Sequence, residues 1–185
     1  MKKGKYKSEV IIVLSLLLVI IIIIFIFQYN SNTKINNINN NPHENIFSYP
    51  NEELSKNEID ALDLAINDEY KARATYKRVL EEHGNIKPFS NIINSESSHI
   101  AQLESIYKKY DLQIPDDNWY IKVPVFANIK DACEAGVNAE IENADLYDEL
   151  LINVNNQDIK VIFEFLRDAS RNNHLPAFQR CNGNK

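Results

Sequence analysis

Glycine is nearly absent from this chain, with four among 185 residues and none of them clustered. A phosphate-cradling loop needs several glycines close together so that backbone N–H groups can approach the anion, so that class of nucleotide site is excluded. Cysteine is equally sparse. Cys133 and Cys181 are the only two, and no Cys-x-x-Cys pair exists to hold zinc or a mononuclear iron. No serine or cysteine stands at a plausible spacing from a base, which leaves no support for a nucleophilic enzyme. Positive charge is also in deficit: 20 Lys and Arg face 26 Asp and Glu, a balance of −6. Taking away the four head lysines (Lys2, Lys3, Lys5, Lys7) and Glu9 leaves about −9 for the remainder. A surface that acidic argues against nucleic acid or anionic lipid as a partner.

The long apolar run is what the sequence has in excess. Val10 to Phe27 is interrupted only by Ser15, and at about 1.5 Å per residue it reaches roughly 27 Å, close to a bilayer's hydrocarbon thickness. Lysines precede it and the next basic residue is Lys34, so the positive-inside rule predicts a single-pass anchor with a cytoplasmic N-terminus and an extracytoplasmic remainder. A cleaved signal peptide is the competing reading. Its apolar region is usually shorter and ends at small residues, which Phe25-Ile26-Phe27-Gln28-Tyr29 does not supply. The Asn-rich stretch that follows has too little apolar surface to fold and reads as a tether. The expected organisation is a basic tail over 1–9, an anchor over 10–27, a flexible tether over 28–53 and one folded domain over 54–181.

Four stripes of helical period fill that domain. Ser55-Lys56-Asn57-Glu58 has the form of a capping box. After it, Ile59, Leu62, Ile66, Glu69, Arg73, Tyr76, Leu80 and His83 recur every three or four residues, and Gly84 follows as a C-cap. Pro88 is placed as a first helical residue, ahead of Phe89, Ile92, Glu96, His99, Leu103, Ile106 and Tyr110. Residues 111–128 carry Pro115, Pro124 and several aromatics without sustained period and read as a crossover. The third stripe is Cys133, Val137, Glu140, Ala144, Tyr147, Leu151. The fourth is Ile159, Phe163, Leu166, Ser170, His174, Ala177, Cys181, with Pro176 expected to bend the backbone near His174. No useful length alternates with period two, so the predicted class is all-α: two helical hairpins joined by one long crossover. An up-and-down bundle with short loops is the alternative.

Five polar residues stand on stripes that should be buried: Glu69, Glu96 and His99, Glu140, and His174. Unpaired carboxylates removed from water cost several kcal/mol each, so three converging ones call for a cation, and a metal is the simplest. Glu96-Ser97-Ser98-His99 sets a carboxylate and an imidazole one turn apart on one face. Salt bridges are the alternative, for instance Glu69 with Arg73. Hard carboxylates with two imidazoles suit iron or manganese, and zinc is also accepted, as one or two ions. Tyr76 and Tyr147, with Tyr70, stand where they can donate to ligands or act as radical sinks; core packing with a hydrogen-bonded hydroxyl is the plainer reading.

Glu69-Tyr70-Lys71-Ala72-Arg73 with Tyr76, then Phe89, Glu96 and His99, resembles the first half of a ferritin or rubrerythrin bundle, and Gly136-Val137 with Glu140 resembles its third helix. With Ala169-Ser170, His174-Leu175 and Ala177-Phe178, the span from Ser55 to Cys181 resembles an uncharacterised prokaryotic ferritin-like family. The resemblance implies a ferritin-like four-helix bundle in which Glu69, Glu96, His99 and Glu140 match di-metal ligands and His174 the histidine of a second Glu-x-x-His. That motif's glutamate is missing, since Ser170 and Arg171 occupy its place, and Arg171 or Arg73 is the expected stand-in for missing metal charge. No Cys-x-x-Cys pair follows the bundle, so the electron-transfer domain of rubrerythrins is not expected. Such bundles often pair, which makes a homodimer an expectation by analogy.

The cysteines check the register. Cys133 lies seven residues before Glu140 and Cys181 seven after His174, nearly two turns in each case. In an antiparallel pair with Glu140 and His174 in one layer, both cysteines fall on the same side of it and face inward. A Cys133–Cys181 disulfide is predicted, two buried free thiols being the alternative. Two functions stay open on the sequence: a membrane-anchored, extracytoplasmic metal protein acting on Fe(II), oxygen or peroxide, and a non-catalytic envelope module that binds a protein partner.

Overall fold

The structure is a computed structural model that describes residues 53–181. The expected anchor, nearly all of the tether and the last four residues lie outside the described part. Among the described residues there are no strands, and no helix is long and apolar enough to cross a membrane.

Helix α1 spans Lys56–His83, α2 Phe89–Lys109, α3 Ile129–Asn153 and α4 Gln157–Ala169; a π-helical turn, Ser170–His174, joins α4 to α5, Leu175–Cys181. Together α4, the π-turn and α5 form the fourth bundle helix. The predicted capping box is present: Glu58 N–H donates to Ser55 Oγ, and Ser55 N–H donates to Glu58 Oε2 at 2.9 Å. The other oxygen of Glu58 accepts from the backbone of Asn155 at 3.0 Å and Asn156 at 2.7 Å, so this cap also fastens the α3–α4 turn. Gly84 closes α1 with φ of 82°, a conformation that glycine adopts without the Cβ clash met by other residues. Pro88 stands one residue earlier than expected, just ahead of α2, its carbonyl accepting from Asn91 and Ile92.

The order in which the helices cross the core settles the topology. One apolar zone contains Leu62 and Ile66 of α1, Leu103 and Ile106 of α2, Tyr147 of α3 and Ile159 and Phe163 of α4. The other contains Tyr76 and Val79, Phe89 and Ile92, Ala132 and Cys133, and Phe178. Chain direction from first zone to second is therefore shared by α1 and the fourth helix, while α2 and α3 run the opposite way. Consecutive parallel helices need a long connection, which 110–128 supplies. It lies along α1: Trp119 Nε1 donates to Asn67 Oδ1 at 3.1 Å, and Arg78 donates to the Tyr120 carbonyl at 2.8 Å. The all-α four-helix bundle with one long crossover is thus observed, and the up-and-down alternative is not.

Cys133 and Cys181 are joined by a disulfide, with Cα atoms 5.7 Å apart. Beside it Gly136 lies directly under Phe178, where a Cβ would fall 2.5 Å from the ring. The π-turn falls where Pro176 was expected to disturb the helix. Proline has no N–H to return to the preceding turn, and here Leu175 N–H reaches back five residues to the Ser170 carbonyl.

Candidate metal centre

Between the two apolar zones the core changes character. Glu69, Glu96, His99, Glu140 and His174 fill that layer and all lie between 0 and 5 % exposed. Each sits mid-helix, held by apolar packing one or two turns to either side, and His174 is the last residue of the π-turn. All five residues singled out in the sequence are therefore brought together.

Glu96 is the pivot. Its Oε2 lies 3.1 Å from His99 Nδ1, and its Oε1 lies 3.1 Å from His174 Nδ1. Glu69 Oε2 meets His99 Nδ1 at 3.2 Å, and Glu140 Oε2 meets His174 Nδ1 at 3.4 Å. The layer thus divides into two groupings, Glu69–Glu96–His99 and Glu96–Glu140–His174, each with donor atoms within 4.8 Å of one another. They share one carboxylate, an oxygen to each side. The two imidazoles stack with centroids 5.4 Å apart.

The outer oxygens of the flanking carboxylates are held by tyrosines. Tyr147 donates to Glu69 Oε1 at 2.7 Å, and Tyr76 donates to Glu140 Oε1 at 2.5 Å. Glu69 and Tyr76 are seven apart on α1, as are Glu140 and Tyr147 on α3, and each tyrosine serves the glutamate of the other helix. This reciprocity follows from two antiparallel helices carrying the same Glu-x6-Tyr spacing, a repeat visible in the sequence but not read there. Asn143, one turn beyond Glu140, was also missed. Its amide donates to Asp68 Oδ2 at 2.9 Å and Glu69 Oε1 at 3.3 Å, while its carbonyl oxygen accepts from Ser170 Oγ at 2.6 Å.

The arginines do not do what the sequence suggested. Arg73 pairs with Asp117 at 2.8 Å and lies over the Tyr70 ring, while Arg171 is exposed and pairs with Asp148 at 2.6 Å. The crossover carries Asp117 past α1 and draws Arg73 outward, and the wide π-turn leaves Arg171 facing solvent. Tyr70 likewise turns away, its hydroxyl 3.4 Å from the Pro115 carbonyl. Without metal, only the two imidazoles neutralise the three carboxylates. Burial alone pushes His99 down, but Glu69 and Glu96 outweigh it and hold its pKa at about 10. Burial opposes charge on His174 too, and the carboxylates of Glu140 and Glu96 beside it raise it to about 9. Burial raises Glu69; for Glu96 the two histidines beside it, His174 and His99, overcome burial and lower it. Burial and the adjacent Glu140 and Glu69 hold Tyr76 and Tyr147 well above the usual phenol range, so both hydroxyls stay protonated donors.

A family model described as an uncharacterised protein domain, DUF2202, matches residues 58–124. The uncharacterised protein MJ0754 of Methanocaldococcus jannaschii is 33% identical over 156 residues, which cover 76% of this chain and 83% of that protein. The chain belongs to this family. The crystal structure of the hypothetical protein MJ0754 superposes with a TM-score of 0.66 at 25% identity, over 74% of this chain and 85% of that one. The DUF2202 match covers nearly all of α1, all of α2 and most of the crossover, and so holds Glu69, Glu96 and His99; Glu140 and His174 lie beyond it.

The donor set fits divalent metal ions on its own geometry. Glu96 Oε1 and His174 Nδ1 are buried and face each other at 3.1 Å, yet neither makes a hydrogen bond. Two donors bound to one ion at about 2.0–2.2 Å stand about that far apart, and an unpaired buried carboxylate oxygen is otherwise costly. Carboxylate and imidazole donors suit first-row divalent ions without fixing which one.

Proposed function

We propose that this chain is a membrane-tethered, extracytoplasmic ferritin-like protein whose bundle holds two metal ions, iron or manganese with zinc also accepted, and that it is an oxidoreductase acting on Fe(II), oxygen or peroxide. The observation that carries the reading is Glu96, one buried carboxylate offering an oxygen to each of two donor groupings. Glu69, Glu96 and His99 would hold one ion, and Glu96, Glu140 and His174 the other. Iron or manganese in such a setting supplies one-electron chemistry toward oxygen or peroxide.

The chain's own residues prepare the site. Tyr76 and Tyr147 fix the flanking carboxylates by charge-assisted hydrogen bonds, which leaves the second oxygen of each turned inward. The apolar zones above and below keep water out and lower the local dielectric. The imidazoles give up their protons when an ion arrives, so the site exchanges protons for metal. The tether and anchor place this chemistry outside the membrane.

A second reading, a non-catalytic envelope module that keeps the bundle, is favoured by one observation. Arg171, where the resemblance wants a glutamate, points to Asp148 and leaves the fourth helix with a single donor, His174. The full-length chain in mild detergent, analysed for metal beside Glu96→Ala and His99→Ala, separates the two. Two ions per chain in the wild type, about one in His99→Ala and none in Glu96→Ala, with peroxide or oxygen consumed by the loaded wild type, support the oxidoreductase. A folded, metal-free wild type supports the module.

A further inference from the structure

The two groupings are not equally accessible. A cavity of about 20 Å³ between α1 and α3 is lined at its outer side by Asp68, Lys71 and Ala139 and reaches Glu96 and Glu140. Those glutamates are 2 % exposed, whereas the Lys71 side chain is 41% exposed and that of Asp68 19%, so the cavity runs from surface to site. Glu96, whose Oε1 has no hydrogen-bond partner, is part of its lining. Glu69, His99 and His174 are not. Asn143 joins outside to inside, donating to Asp68 and to Glu69.

We infer that this cavity is the port through which divalent cations load, that they reach the Glu96–Glu140–His174 position first, and that Asp68 is the transit ligand. The size decides how passage works. A space that small holds about one water, so a fully hydrated ion does not fit and must exchange waters for protein oxygens as it enters. Asp68 is the only carboxylate of the lining outside the donor layer, placed to take that exchange. Lys71 opposes it as a cation at the mouth, shared between Asp68 at 4.0 Å and Glu142 at 3.5 Å. The position at Glu69–Glu96–His99 is closed on this side by Asn143 and Tyr147 and fills through its neighbour.

The inference rests on the two-ion reading, and the test separates them. Metal-free full-length chain is mixed with Co(II), and the visible absorption of the bound ion is followed by stopped flow, with stoichiometry read at equilibrium. Asp68→Asn is expected to slow loading about tenfold, the low end of electrostatic steering effects, with the final stoichiometry unchanged. Ala139→Leu, which fills the cavity, is expected to slow it as well, and Lys71→Met to speed it. Asp60→Asn, on the exposed outer side of α1, is the control expected to load at the wild-type rate. Wild-type rates in both Asp68→Asn and Ala139→Leu overturn the port while leaving two bound ions intact. A lower stoichiometry in Asp68→Asn makes Asp68 a permanent ligand and also overturns it. A wild type that takes up no Co(II) overturns the two-ion reading and the port with it.

Discussion

Stripped of metal, the domain should become unstable in mild alkali. The perturbation is chelation followed by a rise in pH, and the responding groups are His99 and His174. Their folded pKa values of about 10 and about 9 lie above the unfolded value of 6.5. A group whose pKa is raised by folding stabilises fully below the unfolded value and loses that contribution as pH rises through the folded one. The window is therefore pH 6.5 to 10. At about 1.4 kcal/mol per unit, His99 alone corresponds to about 5 kcal/mol. His174 leans on the same Glu96, so the two contributions overlap, and we take about 5 kcal/mol for the pair. For a domain of this size that is a fall of roughly 15–20 °C in melting temperature.

Circular dichroism melts of the chelated chain between pH 6 and 10 measure this directly. The disulfide leaves no free thiol to react in that range, and Tyr and Lys titrate mostly at and above its upper end. The metal-loaded chain should show little of the decline, because ligated imidazoles have no such proton to lose and bound ions stabilise the folded state further. A melting temperature that stays level from pH 6.5 to 9.5 without metal would mean that the imidazoles are uncharged there, and would refute the electrostatic account of the layer.

Three further outcomes follow from particular contacts. Glu58 is 6% exposed; burial pushes its pKa up, but hydrogen bonds from Ser55, Asn156 and Asn155 outweigh this and lower it from 4.5 to about 2. Its contribution, about 3 kcal/mol, is present above pH 4.5 and lost as pH falls toward 2, so Glu58→Gln should lower the urea midpoint at pH 7 and flatten the acid limb. Gly136→Ala should destabilise by about 1–3 kcal/mol in urea melts despite alanine's better helix propensity, because Phe178 is wedged against Tyr76 and Phe89 at 5.0 Å each and has nowhere to move. The disulfide closes a loop of 48 residues, so Cys133→Ser with Cys181→Ser should cost about 4 kcal/mol by loop entropy, read as a lower melting temperature.

Much of this was legible because buried polar residues are rare. Glu69, Glu96, His99, Glu140 and His174 kept the phase of apolar stripes, and a carboxylate in that phase has few explanations. The cysteine spacing fixed the same register independently, and both agree with the structure. Arg73 misled because it too keeps the phase of its stripe; periodicity gives a direction from the helix axis, not what the crossover will lay over it. Asp117 comes from 44 residues away, a pairing no local pattern contains. Arg171 escaped for a local reason: the π-turn changes the residues per turn at that position. Asn143 and the tyrosine exchange depend on which two helices run antiparallel, information that appears only once the crossover is placed.

The central claim is that Glu96 is shared by two metal ions, and metal stoichiometry across three single variants tests it most directly. Purified full-length chain should hold two ions. Glu69→Ala and Glu140→Ala should each keep about one, since each strips a single grouping, while Glu96→Ala should lose both. A Glu96→Ala variant that still binds as much metal as the wild type, or as much as Glu69→Ala, would contradict the account.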